Sequence, residues 1–185
     1  SAGERLSLGA KKFIIATGSK PAPVPGVAID KKRIITSTEA LSLQKKPDNL
    51  VIIRGGVIGV EMASIFSRLG CEVTIIEYAD HLLANMDHEL GDALKKILVK
   101  DGIRILLEQA VYKTENTGNT AKVFFRDRGG KEQELQADYI LVAVGRKAFT
   151  AGLGLENTDV RLDARGMIVT NEQLQTAVAH IYAIG

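Results

Sequence analysis

The strongest constraint in this sequence is the stretch from Leu50 to Tyr78, in which an apolar run leads into a glycine-rich turn. The run Leu50 to Ile53 is followed by the turn Gly55 to Gly59, and then by apolar residues at helical spacing as far as Gly70. A second apolar run, Cys71 to Tyr78, follows at once. Continuous apolar strands of this kind are buried on both faces of a parallel sheet. The stretch therefore predicts a strand, a helix and a second parallel strand.

The rest of the pattern extends this unit into an α/β fold. Met86 to Lys100 has an apolar helical face and precedes a predicted strand at Ile103 to Leu107. Three short, partly alternating strands then indicate an antiparallel meander: Val111 to Glu115, Ala121 to Arg126 and Gln133 to Ala137. Tyr139 to Val144 again has the character of a buried parallel strand. We therefore expect a Rossmann-like parallel sheet with helices and an inserted antiparallel three-stranded meander.

Shorter elements flank this predicted core, which covers about residues 48–145 of a single unit, 1–185. Lys11 to Thr17 predicts a strand before a proline-rich turn, and Ser37 to Leu41 predicts a capped helical turn. Three short strands are expected near the carboxyl end: Val160 to Leu162, Met167 to Val169 and Ile181 to Ile184.

Composition narrows the class of protein. The 24 Lys and Arg against 22 Asp and Glu give a formal charge of +2 without a continuous basic stripe, so no nucleic-acid partner is expected. We find no apolar run long enough to span a bilayer and no secretory signal, so we expect no membrane partner and a soluble, cytoplasmic protein. The single Cys71 excludes an intrachain disulfide or dithiol and predicts a small buried residue.

The glycine-rich turn predicts an anion-binding site at the start of the helix. A helix leaves its first backbone N–H groups unpaired, and a strand that enters a glycine loop directs them at any ligand in front. In the GxGxxG pattern the first glycine gives a tight exit from the strand. The second lets the backbone approach a pyrophosphate, and the third allows close helix packing. Here the three positions hold Arg54, Gly56 and Gly59.

Arg54 at the first glycine position leaves two questions open. Its Cβ costs about 1 kcal/mol or more if the backbone there needs a glycine conformation, and nothing if the backbone is extended. Its guanidinium either adds positive charge near the phosphates or obstructs the loop.

An acidic residue at the end of the second strand strengthens the interpretation as a nucleotide site. Glu77 lies 18 residues after Gly59, where a carboxylate accepts hydrogen bonds from both hydroxyls of an adenosine ribose. It also repels a 2′-phosphate, which favours NAD over NADP, although a merely solvated strand end is the alternative. Glu61 has two open interpretations: an anion placed favourably near a helix start, or a contact to the nicotinamide end of the cofactor.

Five motifs in order give the sequence a resemblance to a known family. They are KKFIIATGSKP, VIIRGGVIGVE, Glu77, DYILVAVGR and HIYAIG. Over nearly its whole length the chain resembles the two-dinucleotide flavoprotein disulfide reductases, and most of all their dihydrolipoamide dehydrogenase branch. The resemblance implies the NAD-binding domain of an enzyme that oxidises a dithiol through FAD, with NAD as acceptor.

The resemblance also implies individual cofactor contacts. It places Glu61 near the nicotinamide, Glu77 on the adenosine ribose, Val111 against the adenine and Gly145 near the nicotinamide half. The full set of residues expected to bind NAD(H) is Arg54, Gly55, Gly56, Val57, Ile58, Gly59, Glu61, Glu77, Val111, Ala143, Val144, Gly145 and Arg146.

The resemblance further implies partners beyond this chain. The family's FAD fingerprint, CxxxxC dithiol and catalytic His and Glu have no counterpart in the sequence. We therefore expect residues 1–36 and 147–185 to be the edges of a truncated FAD domain, and this chain to dock NAD(H) without catalysing turnover. FAD is expected only in the full-length enzyme, which would be a homodimer that includes FAD and dimerisation domains.

Two alternatives and one exclusion complete the sequence-based hypotheses. The chain is alternatively the NAD module of an NADH oxidase, mercuric reductase or glutathione reductase type, or a Rossmann scaffold that has lost its nucleotide through Arg54. His81, His88 and His180 are scattered, without a ligand partner at helical spacing, so no metal site is predicted.

Overall fold

The computed structural model describes residues 6–184, which form several β-sheets, three α-helices and one short 3-10 helix. The helices are α1 (Ser37–Ala40), α2 (Val57–Arg68) and α3 (His88–Lys100), and the 3-10 helix covers Leu155–Asn157. The strands, in chain order, are β1 (Phe13–Ile15), β2 (Ser19–Pro21), β3 (Ile34–Ile35), β4 (Asn49–Ile53), β5 (Glu72–Ile76), β6 (Arg104–Leu106), β7 (Ala110–Asn116), β8 (Ala121–Arg126), β9 (Glu132–Ala137), β10 (Tyr139–Val142), β11 (Arg146–Ala148) and β12 (Ile181–Ala183). Within these residues no helix is both long enough and apolar enough to cross a membrane.

A parallel sheet with the strand order β3-β10-β4-β5-β6 confirms the predicted fold class. Neighbouring residues of β4 face opposite sides of this sheet. Ile52 is buried in a cluster that contains Ala63 of α2, whereas Ile53 is buried in a cluster that contains Phe125 of β8. Helices cover one face and antiparallel strands the other, which explains why β4 is apolar on both faces.

The strands that cover the second face form the predicted meander. β7, β8 and β9 pair antiparallel in that order, with a register shift between Val111 and Lys113. Along β8, Ala121, Val123 and Phe125 are buried, and the residues between them are less so. One side of the meander therefore packs into the core, as its alternating pattern predicts.

Helix α2 follows β4 through the glycine turn and packs closely against it. Its buried residues include Gly59, Ala63 and Phe66, which recur at helical spacing. A Cβ on Gly59 would lie 2.1 Å from the backbone oxygen of Arg54, so only glycine allows this approach. The chain leaves the helix at Gly70, whose φ of 81° favours glycine, as the sequence predicted.

The described residues divide into two units, each with its own sheets. The larger unit spans Pro21–Gly145 and contains the parallel sheet and the meander. The smaller unit joins the stretches before and after it, where β1 pairs in parallel with β12. The larger unit begins earlier than the expected core of about 48–145, because β3 pairs with β10 in the main sheet.

Helix α1 is capped one residue earlier than predicted. The Thr36 hydroxyl accepts a hydrogen bond from the Thr38 N–H, and the Glu39 carboxylate accepts one from the Thr36 N–H at 2.9 Å. Ser37 is therefore the first helical residue and not the cap. Because the β-branched Thr36 directly follows two strand residues, its sequence context is typical of the end of a strand and does not indicate an N-cap.

Two of the three short strands predicted near the carboxyl end are wrong. Residues 160–162 and 167–169 form no strand, only an isolated bridge between Leu162 and Ile168. The Asp163 carboxylate between them accepts hydrogen bonds from the Arg165 and Met167 N–H groups, so a local turn replaces regular pairing. The third prediction is confirmed by β12.

Helix α3 begins at His88, later than the predicted Met86, and buries a narrower face than its pattern predicts. Gly91 and Leu98 are buried, whereas Leu90 and Ile97 are more than half exposed. An apolar residue at helical spacing is therefore not sufficient evidence of burial on this helix.

A pair of alanine substitutions tests the close packing of α2 on the loop. We expect Gly59→Ala to lower the free energy of unfolding by about 1 to 3 kcal/mol, because its Cβ displaces the Arg54 carbonyl. Gly56→Ala is the matched control: a Cβ there meets no atom within 4 Å. Its expected loss is about 0.5 kcal/mol, from a poorer N-cap. Urea unfolding measures both, and an equal loss in the two variants would contradict the packing argument.

Candidate functional site

A crevice of about 480 Å³ lies in the larger unit, at the carboxyl ends of strands of the parallel sheet. Residues that follow β4, β5 and β10 line it, among them Arg54, Glu77 and Val144, together with Val111 of β7. Ligands of open α/β sheets bind at this edge, because the loops that follow adjacent strands meet there.

The tip of α2 is not capped by any side chain of the described residues. Gly56 is the N-cap in extended conformation, and within residues 6–184 no side-chain hydrogen bond satisfies the first turn, Val57 to Gly59. A Cβ on Gly56 would meet nothing within 4 Å, so the side of Gly56 on which a side chain would lie is open. Because the first N–H groups of a helix have no partner within the helix, an uncapped tip is suitable for an anion.

Arg54 adopts a backbone conformation that favours glycine. Its φ is 84°, so the chain turns sharply after β4, as it does where the first position of the GxGxxG pattern is a glycine. For a residue with a Cβ this conformation costs roughly 1 to 2 kcal/mol. The guanidinium Nη1 donates a hydrogen bond to the Val144 carbonyl at 2.5 Å, and a Cβ on Gly145 would lie 3.7 Å from the same nitrogen. The side chain therefore extends towards the end of β10.

The Glu77 carboxylate connects β5 to the glycine loop. Glu77 is 4% exposed and lines the crevice. One oxygen accepts a hydrogen bond from the Gly55 N–H at 2.6 Å, and the other accepts one from the Ala79 N–H at 2.8 Å. Each carboxylate oxygen has a second lone pair, so Glu77 retains acceptor capacity towards a ligand.

Three other residues that were predicted to contact the cofactor lie in different surroundings. Glu61 is exposed on α2 beyond its first turn, where the helix dipole contributes little. Ala143 is half-buried, and its N–H donates to the Ile53 carbonyl at the sheet edge. Arg146 belongs to the smaller unit, where its guanidinium donates to the Ser19 hydroxyl at 2.7 Å.

The sequence analysis did not predict Gln109 as a site residue, although Gln109 also lines the crevice. Its N–H donates to the Glu77 carbonyl, and its amide nitrogen donates to the Leu107 carbonyl. Its amide oxygen is buried and has no hydrogen-bond partner among the described residues. A single glutamine after a strand carries no pattern that would have identified it.

The prediction that the three histidines lie apart is wrong for His81 and His88. His81 and His88 lie with their ring centroids 4.4 Å apart, and Asp80 is beside them. They meet because the loop that follows β5 folds back on the start of α3, which spacing along a helix does not reveal.

Cys71 has the structural role that its sequence context predicts. It is a buried free thiol, and burial raises the pKa of this thiol to about 11. Because nucleophilic cysteines react as thiolates, Cys71 is not suited to that chemistry near neutral pH.

The parallel sheet, with strand β4, the glycine turn and helix α2 leading to the parallel strand β5, defines a Rossmann-like α/β unit. A family model described as pyridine nucleotide-disulphide oxidoreductase matches residues 1–185. The chain belongs to this family, which confirms the family indicated by the five sequence motifs.

Individual relatives support the same assignment. A dihydrolipoamide dehydrogenase from Chaetomium thermophilum is 45% identical over 177 residues, which is 95% of this chain and 35% of the relative. Dihydrolipoyl dehydrogenase 3 from Pseudomonas putida is 44% identical over 99% of this chain and 39% of its own length. The solved HOCl-induced flavoprotein disulfide reductase RclA from Escherichia coli superposes with a TM-score of 0.85 at 33% identity, over 97% of this chain and 40% of that one. The chain thus spans less than half the length of these relatives.

Two substitutions of Arg54 measure the cost of its backbone conformation. Arg54→Gly and Arg54→Ala both remove the guanidinium, so they differ mainly in the Cβ at a φ of 84°. We expect the glycine variant to have a free energy of unfolding about 1 kcal/mol higher than that of the alanine variant. Urea unfolding measures this difference, and a more stable alanine variant would contradict the positive φ.

Proposed function

We propose that this chain binds NAD(H) in the crevice at the carboxyl edge of its parallel sheet. One observation carries the proposal: an uncapped helix tip and a buried carboxylate border the same edge of the sheet. The tip offers N–H donors to a diphosphate, and the carboxylate offers acceptors to a ribose. The family description, which refers to a pyridine nucleotide, supports the same class of ligand.

The glycine loop would hold the pyrophosphate. The backbone from Gly56 to Gly59 forms the N-cap and first turn of α2, and no side chain of the described residues caps its N–H groups. Because the positive end of the helix dipole adds to these donors, a negatively charged diphosphate is favoured there over a neutral group.

Glu77 would select NAD(H) over NADP(H). Its two backbone hydrogen bonds fix the carboxylate at the wall of the crevice, and its remaining lone pairs can accept from ribose hydroxyls. A 2′-phosphate at that position would place two anionic groups next to each other, which disfavours binding.

Gln109 would recognise the adenine. Its buried amide oxygen has no partner among the described residues, and Val111 lines the same crevice. The exocyclic amino group of adenine is a hydrogen-bond donor, and it would satisfy this acceptor. A buried acceptor without a partner costs about 1 to 3 kcal/mol, so binding that supplies the partner gains affinity.

For the protein as a whole we propose the activity of a dihydrolipoamide dehydrogenase-like flavoenzyme. Bound NAD would supply the hydride acceptor, and the chain's own residues would bind and orient it. FAD, the reactive dithiol and the dimer contacts would come from a longer protein, and this chain alone would only dock NAD(H). Two relatives at 44% and 45% identity are dihydrolipoyl or dihydrolipoamide dehydrogenases, which favours this branch over NADH oxidase, mercuric reductase or glutathione reductase types.

A second candidate function is a Rossmann scaffold that does not bind nucleotide. The position of the Arg54 guanidinium favours it, because this group lines the crevice and is held by the Val144 carbonyl. Calorimetric titration of the chain with NADH separates the two functions: saturable heat supports the cofactor site, and no heat with NADH or NADPH supports the scaffold. Binding that appears only in Arg54→Gly would identify the guanidinium as the obstruction.

A conservative substitution tests the role of Glu77. We expect the chain to bind one NADH and to bind NADPH more weakly, and Glu77→Gln to narrow this preference by about tenfold, or ~1.4 kcal/mol. The ratio of the two dissociation constants is the readout, because a disturbed glycine loop weakens both nucleotides alike. Glu61→Gln is the matched control and keeps the preference. An unchanged ratio in Glu77→Gln would falsify the ribose assignment.

A modified base tests the role of Gln109. Reduced nicotinamide hypoxanthine dinucleotide carries an oxygen where NADH carries the adenine amino group. We expect the chain to bind it about 3- to 10-fold more weakly than NADH, and Gln109→Leu to bind the two equally. Gln136→Leu, a substitution of an exposed glutamine on β9, retains the preference. Equal affinities in the unsubstituted chain would exclude the proposed contact.

A further inference from the structure

A cluster of metal-ligating side chains lies outside the residues assigned to the nucleotide. Asp80, His81 and His88 each offer one ligand atom, and these atoms all lie within 4.8 Å of one another. We propose that these three side chains bind a divalent transition-metal ion such as Zn²⁺. The site is independent of the proposed NAD(H) contacts.

The loop between β5 and α3 brings the three residues together. Leu82 and Leu83 are buried, and the Leu83 N–H donates to the Gly55 carbonyl at 2.9 Å. A Cβ on Gly91 would lie 2.3 Å from the Leu82 carbonyl oxygen, so the loop packs directly on the first turns of α3. His81 is thereby held beside His88, and the site does not rest on mobile surface side chains alone.

A carboxylate lies beside each imidazole. Asp80 contacts Nδ1 of His81 at 2.6 Å, and Asp92 contacts Nδ1 of His88 at 3.2 Å. A carboxylate on one nitrogen of an imidazole fixes the ring and strengthens the other nitrogen as a ligand, as in many metal sites. Asp92 would have this role for His88, whose Nε2 remains available. On the His81 side, Nδ1 would bind the metal ion in place of the hydrogen that it shares with Asp80, and the neutral ring would carry its one proton on Nε2.

The ligand set determines the class of ion. Two imidazoles and one carboxylate are a ligand set of four-coordinate zinc, in which water completes the coordination. Mg²⁺ and Ca²⁺ prefer oxygen ligands and are not expected. The side chains of Asp80 and His88 are 55% and 58% exposed, which leaves the site open to ions from solvent.

Calorimetric titration of the tag-free chain with ZnCl₂ tests the site. We expect one Zn²⁺ per chain, no saturable binding of Mg²⁺, and loss of zinc binding in His81→Ala and His88→Ala. Asp92→Asn should weaken zinc binding by about 10- to 100-fold, as expected when the carboxylate that orients a ligand is removed. His180→Ala, which removes the histidine of the smaller unit, is the matched control and leaves binding unchanged.

Two further measurements check that the variants fold and count the nitrogen ligands of the metal ion. Thermal unfolding verifies that each variant folds. Because the His88 side chain is largely exposed, His88→Ala is expected to fold and tests the site even if His81→Ala does not fold. With Cu²⁺ as a paramagnetic probe, electron spin resonance should show coupling to two nitrogen ligands, reduced to one in His88→Ala. Zinc binding that survives both histidine substitutions, or a stoichiometry above one that no substitution changes, would overturn the proposal. The outcome does not depend on NADH binding.

Discussion

The hydrogen bond from the Gly55 N–H to the Glu77 carboxylate joins the two strands of the βαβ unit at the edge where the crevice opens. It fixes the glycine loop relative to the end of β5, and Gly59 then seats the first turn of α2 against the Arg54 carbonyl. Because both contacts hold backbone, the helix tip is directed before any ligand arrives. Preorganised donors of this kind need little rearrangement on binding.

Much of the fold was predictable because its periodicity is strong, and the exceptions are local. β4, α2, β5 and the meander follow from apolar runs and spacing that tertiary contacts reinforce. Thr36 and the Asp163 turn were misjudged because short polar side chains satisfy nearby N–H groups, and this competition has no periodic pattern. The meeting of His81 and His88 depends on a loop that folds back, which linear spacing does not encode.

The candidate site was predictable only in part, for a related physical reason. The roles of Gly56 and Gly59 follow from steric arguments that the loop sequence itself contains, and the geometry agrees with them. The conformation of Arg54 depends on how the loop leaves β4, and its side chain is held by Val144, which lies 90 residues away. The orphan acceptor on Gln109 likewise arises from packing around it. Contacts set by distant parts of the chain are the ones that local patterns do not predict.

The position of β10 in the main sheet has a consequence for how the chain folds during synthesis. β10 is the last of the five strands to be synthesised, yet it lies between β3 and β4 and pairs with both. Until it arrives, β3 lacks the one neighbour that it has in this sheet among residues 6–184, and β4 has an open edge. Closing such long loops carries an entropic penalty, so sheets with this topology fold slowly and expose apolar strands in the meantime. A nascent chain that has not reached residue 142 therefore presents an unpaired edge to the ribosome and to chaperones.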